Sequence, residues 1–430
     1  MNQVIDRGLK VSLVIMVLIS LFLSWKIWTK PANRSIVEKE KETSGEVIKS
    51  KKMTDVYAPT KLYYHKETDD FLYSNKETAI QEIHKKVTGF EFDSGVEIDK
   101  NKIVEVMYDE HCFSLFFPEE FPLAVYADIY NLMLDIPSKK TDFLFNRVLF
   151  ALDENKIYFI NHELTEGVAY DVSGDSDSLE KLLQDEKKNN YLPVSLTPDN
   201  IGGIYYLKDE VELKIYSYIL ATQSFTTYTK AFFNQPNDLY SNESDNVNLF
   251  NGEGESLSIQ ADTGEVNYFG KMKVESNKGD HSIYYNTFQY IENLGNTLGT
   301  FRYFDLKDND IVYRDYIEGF PVFGNHMKGR LEVGVQNKNV FVRTNQDTIQ
   351  IPIPADETVT LVPTGQLIDE LLASGADEAM IEDIQIAYEW QTNSETKQAV
   401  DLVPAWYVKY KDTWYPADEL INNFQQGGND

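Results

Sequence analysis

Apolar positions along the chain fall into two regimes. From Leu9 to Trp28 (LKVSLVIMVLISLFLSWKIW) they are almost continuous, broken within Val11–Trp25 only by Ser12, Ser20 and Ser24. Twenty residues at about 1.5 Å each span roughly 30 Å, the depth of a hydrocarbon core, so this segment predicts a transmembrane helix. Bulky Trp25, Ile27 and Trp28 stand where a cleavable signal needs small residues, which favours an uncleaved anchor. Pro31 follows, and ANRSIVEKEKETSGEVIKSKK then has little apolar periodicity and reads as a charged stalk.

Beyond residue 54 short runs of period two alternate with stripes of helical period. VYAPTKLYYH is extended, its proline suiting an edge strand. IVEVMY and CFSLFF flank Asp109, Glu110 and His111 and predict a hairpin, as RVLFAL and IYFIN do across DENK. Val125, Ile129, Leu132 and Met133 have helical spacing, with Pro122 in a first-turn position. SFTTYTKAFFNQP is helix-like, and LSIQADTGEVNYFG carries a hairpin signal. Tyr284, Phe288 and Ile291 form a helical stripe ahead of RLEVGV and VFVR, which surround QNKN. Leu367, Ile368, Leu371 and Leu372 predict a short helix closed by Gly375, followed by strands in IQIAYEW and AWYVKY.

This order predicts an α+β body of antiparallel sheets with covering helices. The expected division is 1–8, 9–28 as transmembrane helix, 29–54 as stalk, then α+β domains at 55–195, 196–320 and 321–430. The polar SLTPDNIGG stretch and the GFP turn mark the last two boundaries.

Composition supports a folded, sheet-rich body: the 430 residues include 27 Tyr and 24 Phe, aromatics that favour strands. The formal charge is -29, yet residues 1–52 carry ten Lys or Arg against five Asp or Glu, leaving 30 of the 40 basic and 64 of the 69 acidic groups for the rest. A body so acidic is a poor nucleic-acid binder, since no basic patch stands out to neutralise phosphates. Cys112 is the only cysteine, which excludes an intrachain disulfide and any paired-thiol metal site.

Catalytic patterns are missing. His65, His84, His111, His162, His281 and His326 form no HExxH or comparable ligand motif. Neighbours in a strand face opposite ways, so Glu110, His111 and Cys112 read as a solvated turn followed by a buried thiol. There is no GxGxxG, GxxxxGK[ST] or GxSxG; NGEGES at 251–256 is an acidic loop; and DLKDNDIVYRD lacks the glycine and final glutamate of a calcium loop. These absences predict a non-enzymatic protein with no catalytic residue, cofactor or metal.

Two sets of residues are candidates for contact with partners. Ser12, Met16, Ser20 and Ser24 recur every four residues on one helix face, and small residues so spaced let membrane helices approach closely. Trp406, Tyr407, Trp414 and Tyr415 fall within a short aromatic span that suits either a strand core or a partner surface. Lys26, Lys30 and Arg34 after the anchor outnumber Arg7 and Lys10 before it. The charge count therefore does not orient the helix; its short N-terminal flank favours an extracytoplasmic body.

A short start, an anchor ending SWKIWTKP, PTKLYYH at 59–65, YTKAFFNQP at 228–236 and LVPAWYVKYKDTWYP at 402–416 occur here in that order. Together they resemble the YycH family, membrane-bound accessory regulators of an essential cell-wall sensor kinase in Gram-positive bacteria, over nearly the full chain. The resemblance implies a single-pass cell-membrane protein with a cytoplasmic N-terminus and a multidomain extracytoplasmic body, the C-terminal part resembling the companion protein YycI. It also implies partnership with a sensor histidine kinase of the YycG/WalK type and with a YycI-like companion, and no enzymatic site. The rival readings are an extracytoplasmic module sensing a wall fragment or ion, and an anchored envelope enzyme.

Overall fold

Tyr57 marks where the chain enters its core. In the computed structural model, which describes Met16 and residues 51–427 except 68–69, 197–204, 237, 242–245, 274, 296–298, 394–395 and 397, the helix Met53–Val56 leads into this fully buried ring. Tyr57 packs against Tyr284, Tyr303 and Tyr313, from the helix Ser282–Leu294 and the strands Phe301–Lys307 and Asp310–Ile317. Ser12, Ser20, Ser24 and most of the predicted anchor and stalk lie outside the described residues; Met16 is helical and exposed. Among the described residues no helix is long and apolar enough to cross a membrane.

Among the described residues the N-terminal sheet has ten strands. Its central order is Leu192–Leu196, Asp70–Ser74, Lys61–Glu67, Cys112–Pro122, Leu144–Ala151, Lys156–Ile160 and Glu166–Ser173, all paired antiparallel. Strict alternation buries Val148 and Phe150 with Phe159 on one face, and Leu149 with Tyr158 and Ile160 on the other. The helices Glu77–Val87 and Ser176–Leu183 cover the first face through Ile80, Ile83, Val87, Leu179 and Leu183.

Three local expectations need correction. Lys61–Glu67 is an interior strand, not an edge; Pro59 precedes the ladder, whose bonding begins with Thr60 N–H to Phe116 O at 2.8 Å. IVEVMY is not a hairpin arm but the end of a helix, Lys100–Tyr108. Asp99 caps it by accepting from Lys102 N–H at 3.1 Å, and Ile103, Val106 and Met107 bury against Leu149 and Tyr158. The cap and the helical spacing of those three residues outweigh β propensity. The helix containing Val125 stops at Tyr130, because Asn131 turns left-handed (φ 53); Met133 beyond it is 94% exposed.

Among the described residues the larger second sheet has fourteen strands and spans the middle and C-terminal segments. Tyr216–Thr222 pairs with both Asp347–Ile353 and Ala399–Tyr410, so strands from both sides of residue 320 share one sheet. The hairpin strands Ser256–Ile259 with Glu265–Lys271, and Arg330–Gln336 with Asn339–Asn345, follow the sequence pattern, as does the long pair Ile381–Thr392 with Ala399–Tyr410. Phe320–Phe323 runs parallel to Ile381–Thr392. Phe225–Phe232 and Ser282–Leu294 pack together over one part of the sheet; Thr364–Ser374 and Ala417–Gly427 pack together over another. Gly375, at φ 111, supplies the left-handed cap of Thr364–Ser374.

Candidate functional site

A cleft of about 1030 Å³, open mouth included, lies between the N-terminal sheet and the last hairpin. Pairing of Cys112–Pro122 with Leu144–Ala151 is interrupted between Phe116 and Phe121, and this irregular stretch delivers Glu119 to the cleft. Glu382, Asp383 and Lys409 arrive from the paired strands Ile381–Thr392 and Ala399–Tyr410, Trp414 from Thr413–Pro416.

Lys409 stands at the centre of the charge. Its Nζ lies 3.8 Å from Glu119 Oε2, Glu382 Oε2 and Asp412 Oδ1, too far for hydrogen bonds but close enough for Coulombic attraction. Burial alone would lower the Lys409 pKa, but these carboxylates and Asp305 hold it above the usual lysine value. Burial pushes the Glu119 carboxyl up to about 7, against the opposing pull of the Glu120 backbone N–H, which Glu119 accepts at 2.9 Å, and of Lys409. The arrangement suits cationic or amide-rich contacts. It places no nucleophile beside a base, and among the described residues no three His, Cys, Asp or Glu side chains are grouped to hold a metal.

The aromatic quartet does not form one surface. Trp406 is buried and donates its Nε1–H to Val362 O at 3.0 Å, whereas Tyr407, on the opposite strand face, is buried with its ring stacked 4.1 Å from that of Phe323. Trp414 is half-buried beside Phe304 and lines the cleft; Tyr415 is half-buried against the core that holds Trp406. Cys112 is buried, its Sγ–H directed to Asp109 O at 3.1 Å, and burial pushes its pKa up to about 12. His111 lies in an exposed left-handed turn (φ 55), 3.3 Å from Asp153. Glu119 and Lys409 escaped the sequence reading. The available signal was Lys409 itself, the one charged residue in the apolar run Leu402–Tyr410.

A family model described as the YycH protein N-terminal domain matches residues 9–190, and one described as its C-terminal domain matches residues 203–424. The crystal structure of YycH from Bacillus subtilis is similar over 86% of this chain and 97% of its own, with 15% identity and a TM-score of 0.69; at that identity the likeness concerns the fold. An uncharacterized protein from Eubacterium rectale aligns with 56% of this chain and 90% of its own at 11% identity, with a TM-score of 0.32 too low to carry an argument. No curated protein matches.

Proposed function

Because the chain belongs to the YycH family, we propose that it is a non-enzymatic accessory regulator of an essential cell-wall two-component system, acting on a sensor histidine kinase of the YycG/WalK type. Family membership implies a regulator of that system and association with its kinase. The finer reading assigns residues 9–28 to a membrane helix that holds the body outside the cytoplasmic membrane and meets the helices of the kinase and of a YycI-like companion. The fold of the C-terminal part, in this reading, is shared with that companion.

The two adjoining family matches, which together run from the apolar N-terminal segment to the last helix, carry the reading. An accessory that binds one kinase state better than another shifts their populations by that difference in affinity. Confinement to a membrane raises effective concentration, so individually weak helix contacts suffice.

Affinity capture from membranes tests it, with the native chain and with residues 9–28 replaced by an unrelated membrane helix. The native chain is expected to retain a sensor kinase and a second single-span protein, and the replacement to lose much of both. Capture of neither by the native chain would overturn the proposal; equal capture by both chains would remove the helix contact from it.

A further inference from the structure

Alternation along four strands of the second sheet buries Leu249, Leu257, Tyr268 and Val342 in the core shared with the helices Phe225–Phe232 and Ser282–Leu294, and turns the residues between them outward. On that outer face four aromatic rings fall into one row. Antiparallel register sets Tyr240 beside Phe250, Phe250 beside Ser256, Ser256 beside Phe269 and Phe269 beside Phe341, across five adjacent strands. At about 4.8 Å per strand the row is about 19 Å long. Its rings are exposed by between 37% at Phe269 and 62% at Tyr240. The centroids of Tyr240 and Phe250 are 6.0 Å apart and those of Phe269 and Phe341 5.0 Å, separations at which neither pair seals off its ring faces. Single exposed aromatics are ordinary, but four in register form a surface for a ligand to cover.

The row is too narrow for a protein partner. Rings of roughly 200 Å² each, exposed to that extent, offer on the order of 400 Å², about half of the roughly 800 Å² that each side of a stable protein interface buries. Along its flank runs a second row, Asn248, Ser258 and Asn267, paired in the same register. The side chains of Ser258 and Asn267 make no hydrogen bond among the described residues. In a chain of formal charge -29, neither row carries a charge from Tyr240 across to Phe269. Charge enters only at the far end, with Arg343 opposite Asn267 and with Asp310, whose carboxylate lies so close over Gly334 that an added Cβ there would collide with it. The surface thus matches a ligand that is narrow, uncharged and rich in hydrogen-bonding groups.

We propose that this row binds an uncharged, extended glycan of β-linked pyranose rings. A pyranose with equatorial hydroxyls presents faces of C–H groups that lie against aromatic rings, while the hydroxyls at its rim bond to hydroxyl and amide side chains. Tyr240, Phe250, Phe269 and Phe341 supply the first kind of contact, Ser258 and Asn267 the second. A straight row selects an extended β-1,4-linked chain over an α-1,4-linked one, which coils away from a line. The inference goes beyond the kinase reading, and either stands without the other.

The full chain in lipid nanodiscs, titrated with chitohexaose, cellohexaose, cellobiose and maltohexaose and followed by ligand-observed NMR, tests the proposal. Saturable binding of at least one β-linked hexasaccharide is expected, about tenfold or more tighter than cellobiose or maltohexaose. Phe341→Ala and Tyr240→Ala are each expected to weaken it severalfold. Tyr240 is the most exposed ring of the four, so its variant carries the comparison should Phe341→Ala lose its melting transition. No saturable binding of either β-linked hexasaccharide, equal affinity for cellobiose or maltohexaose, or unchanged affinity in folded Tyr240→Ala overturns the proposal. So does self-association of the parent in sedimentation velocity that Tyr240→Ala abolishes, which assigns the row to a second copy of the chain.

Discussion

The hydroxyls of Tyr57 and Tyr313 lie 3.0 Å apart in the core, and Tyr57 Oη is also 3.0 Å from the Tyr284 carbonyl oxygen to which it donates. Residues 227 and 256 positions apart in sequence are thereby joined where the chain enters the body. Tyr57→Phe keeps the ring packing and strands these polar groups, so it should lower unfolding stability by about 1–3 kcal/mol in urea titration. Tyr57→Ala should cost more, about 3–5 kcal/mol, by opening a cavity as well.

Glu119 predicts a pH dependence of definite sign. Burial pushes its carboxyl up to about 7 in the folded state, above the ordinary 4.5 of a glutamate, so the folded state binds the proton more tightly. Its ionisation therefore costs stability progressively as pH rises from about 4.5 to about 7, and the cost is constant above that. Glu119→Gln should flatten this part of the stability profile and be the more stable protein at pH 8, by an amount on the order of 1–2 kcal/mol after allowance for residual solvent contact. A variant whose profile runs parallel to the parent's would sink the assignment.

Asp99 is a helix cap whose removal has a local consequence. Asp99→Ala should destabilise by about 1 kcal/mol and raise amide exchange in Lys100–Tyr108 before other helices respond.

Gly319 holds a close crossing between the two sheets. At φ 85 its Cα faces Asn75, and an added Cβ would lie 1.9 Å from the Asn75 carbonyl oxygen, while Asn75 Nδ2 donates to Glu318 O at 2.7 Å. Gly319→Ala should cost more than about 2 kcal/mol, through both backbone strain and the lost approach, with the melting temperature as readout.

Ser20 and Ser24 test the proposed membrane contact. Changing both to Leu leaves the body's melting transition untouched and should reduce co-capture of the kinase and companion severalfold; undiminished capture would remove these residues from the contact.

Most regular elements were legible because their periodicity is local. The RLEVGV and VFVR arms, the Tyr284 stripe and the Gly375 stop each declare themselves within a few residues, where side-chain alternation or a cap is set by the neighbouring backbone. IVEVMY misled because a six-residue run with a single charge, Glu105, satisfies both periods, and what decides is a cap before it and a sheet face 40 or more residues away. Glu255 shows the same limit inside NGEGES: it is buried and accepts from Tyr268 Oη at 2.8 Å and Asn251 Nδ2 at 2.6 Å, partners that composition does not announce.

By itself, then, the sequence determined the α+β class, the family, the apolar N-terminal segment and the lack of a recognisable catalytic motif, because each rests on local spacing or on ordered motifs. Only the tertiary structure decided which aromatic residues are core and which line a cleft. Trp406 and Tyr407 are adjacent in sequence yet buried on opposite faces, while Trp414 and its hairpin partner Lys409 line one cleft with Glu119 and Glu382. It alone set Tyr240, Phe250, Phe269 and Phe341 in one row, since residues far apart along a chain become neighbours only when strands pair and a core excludes water.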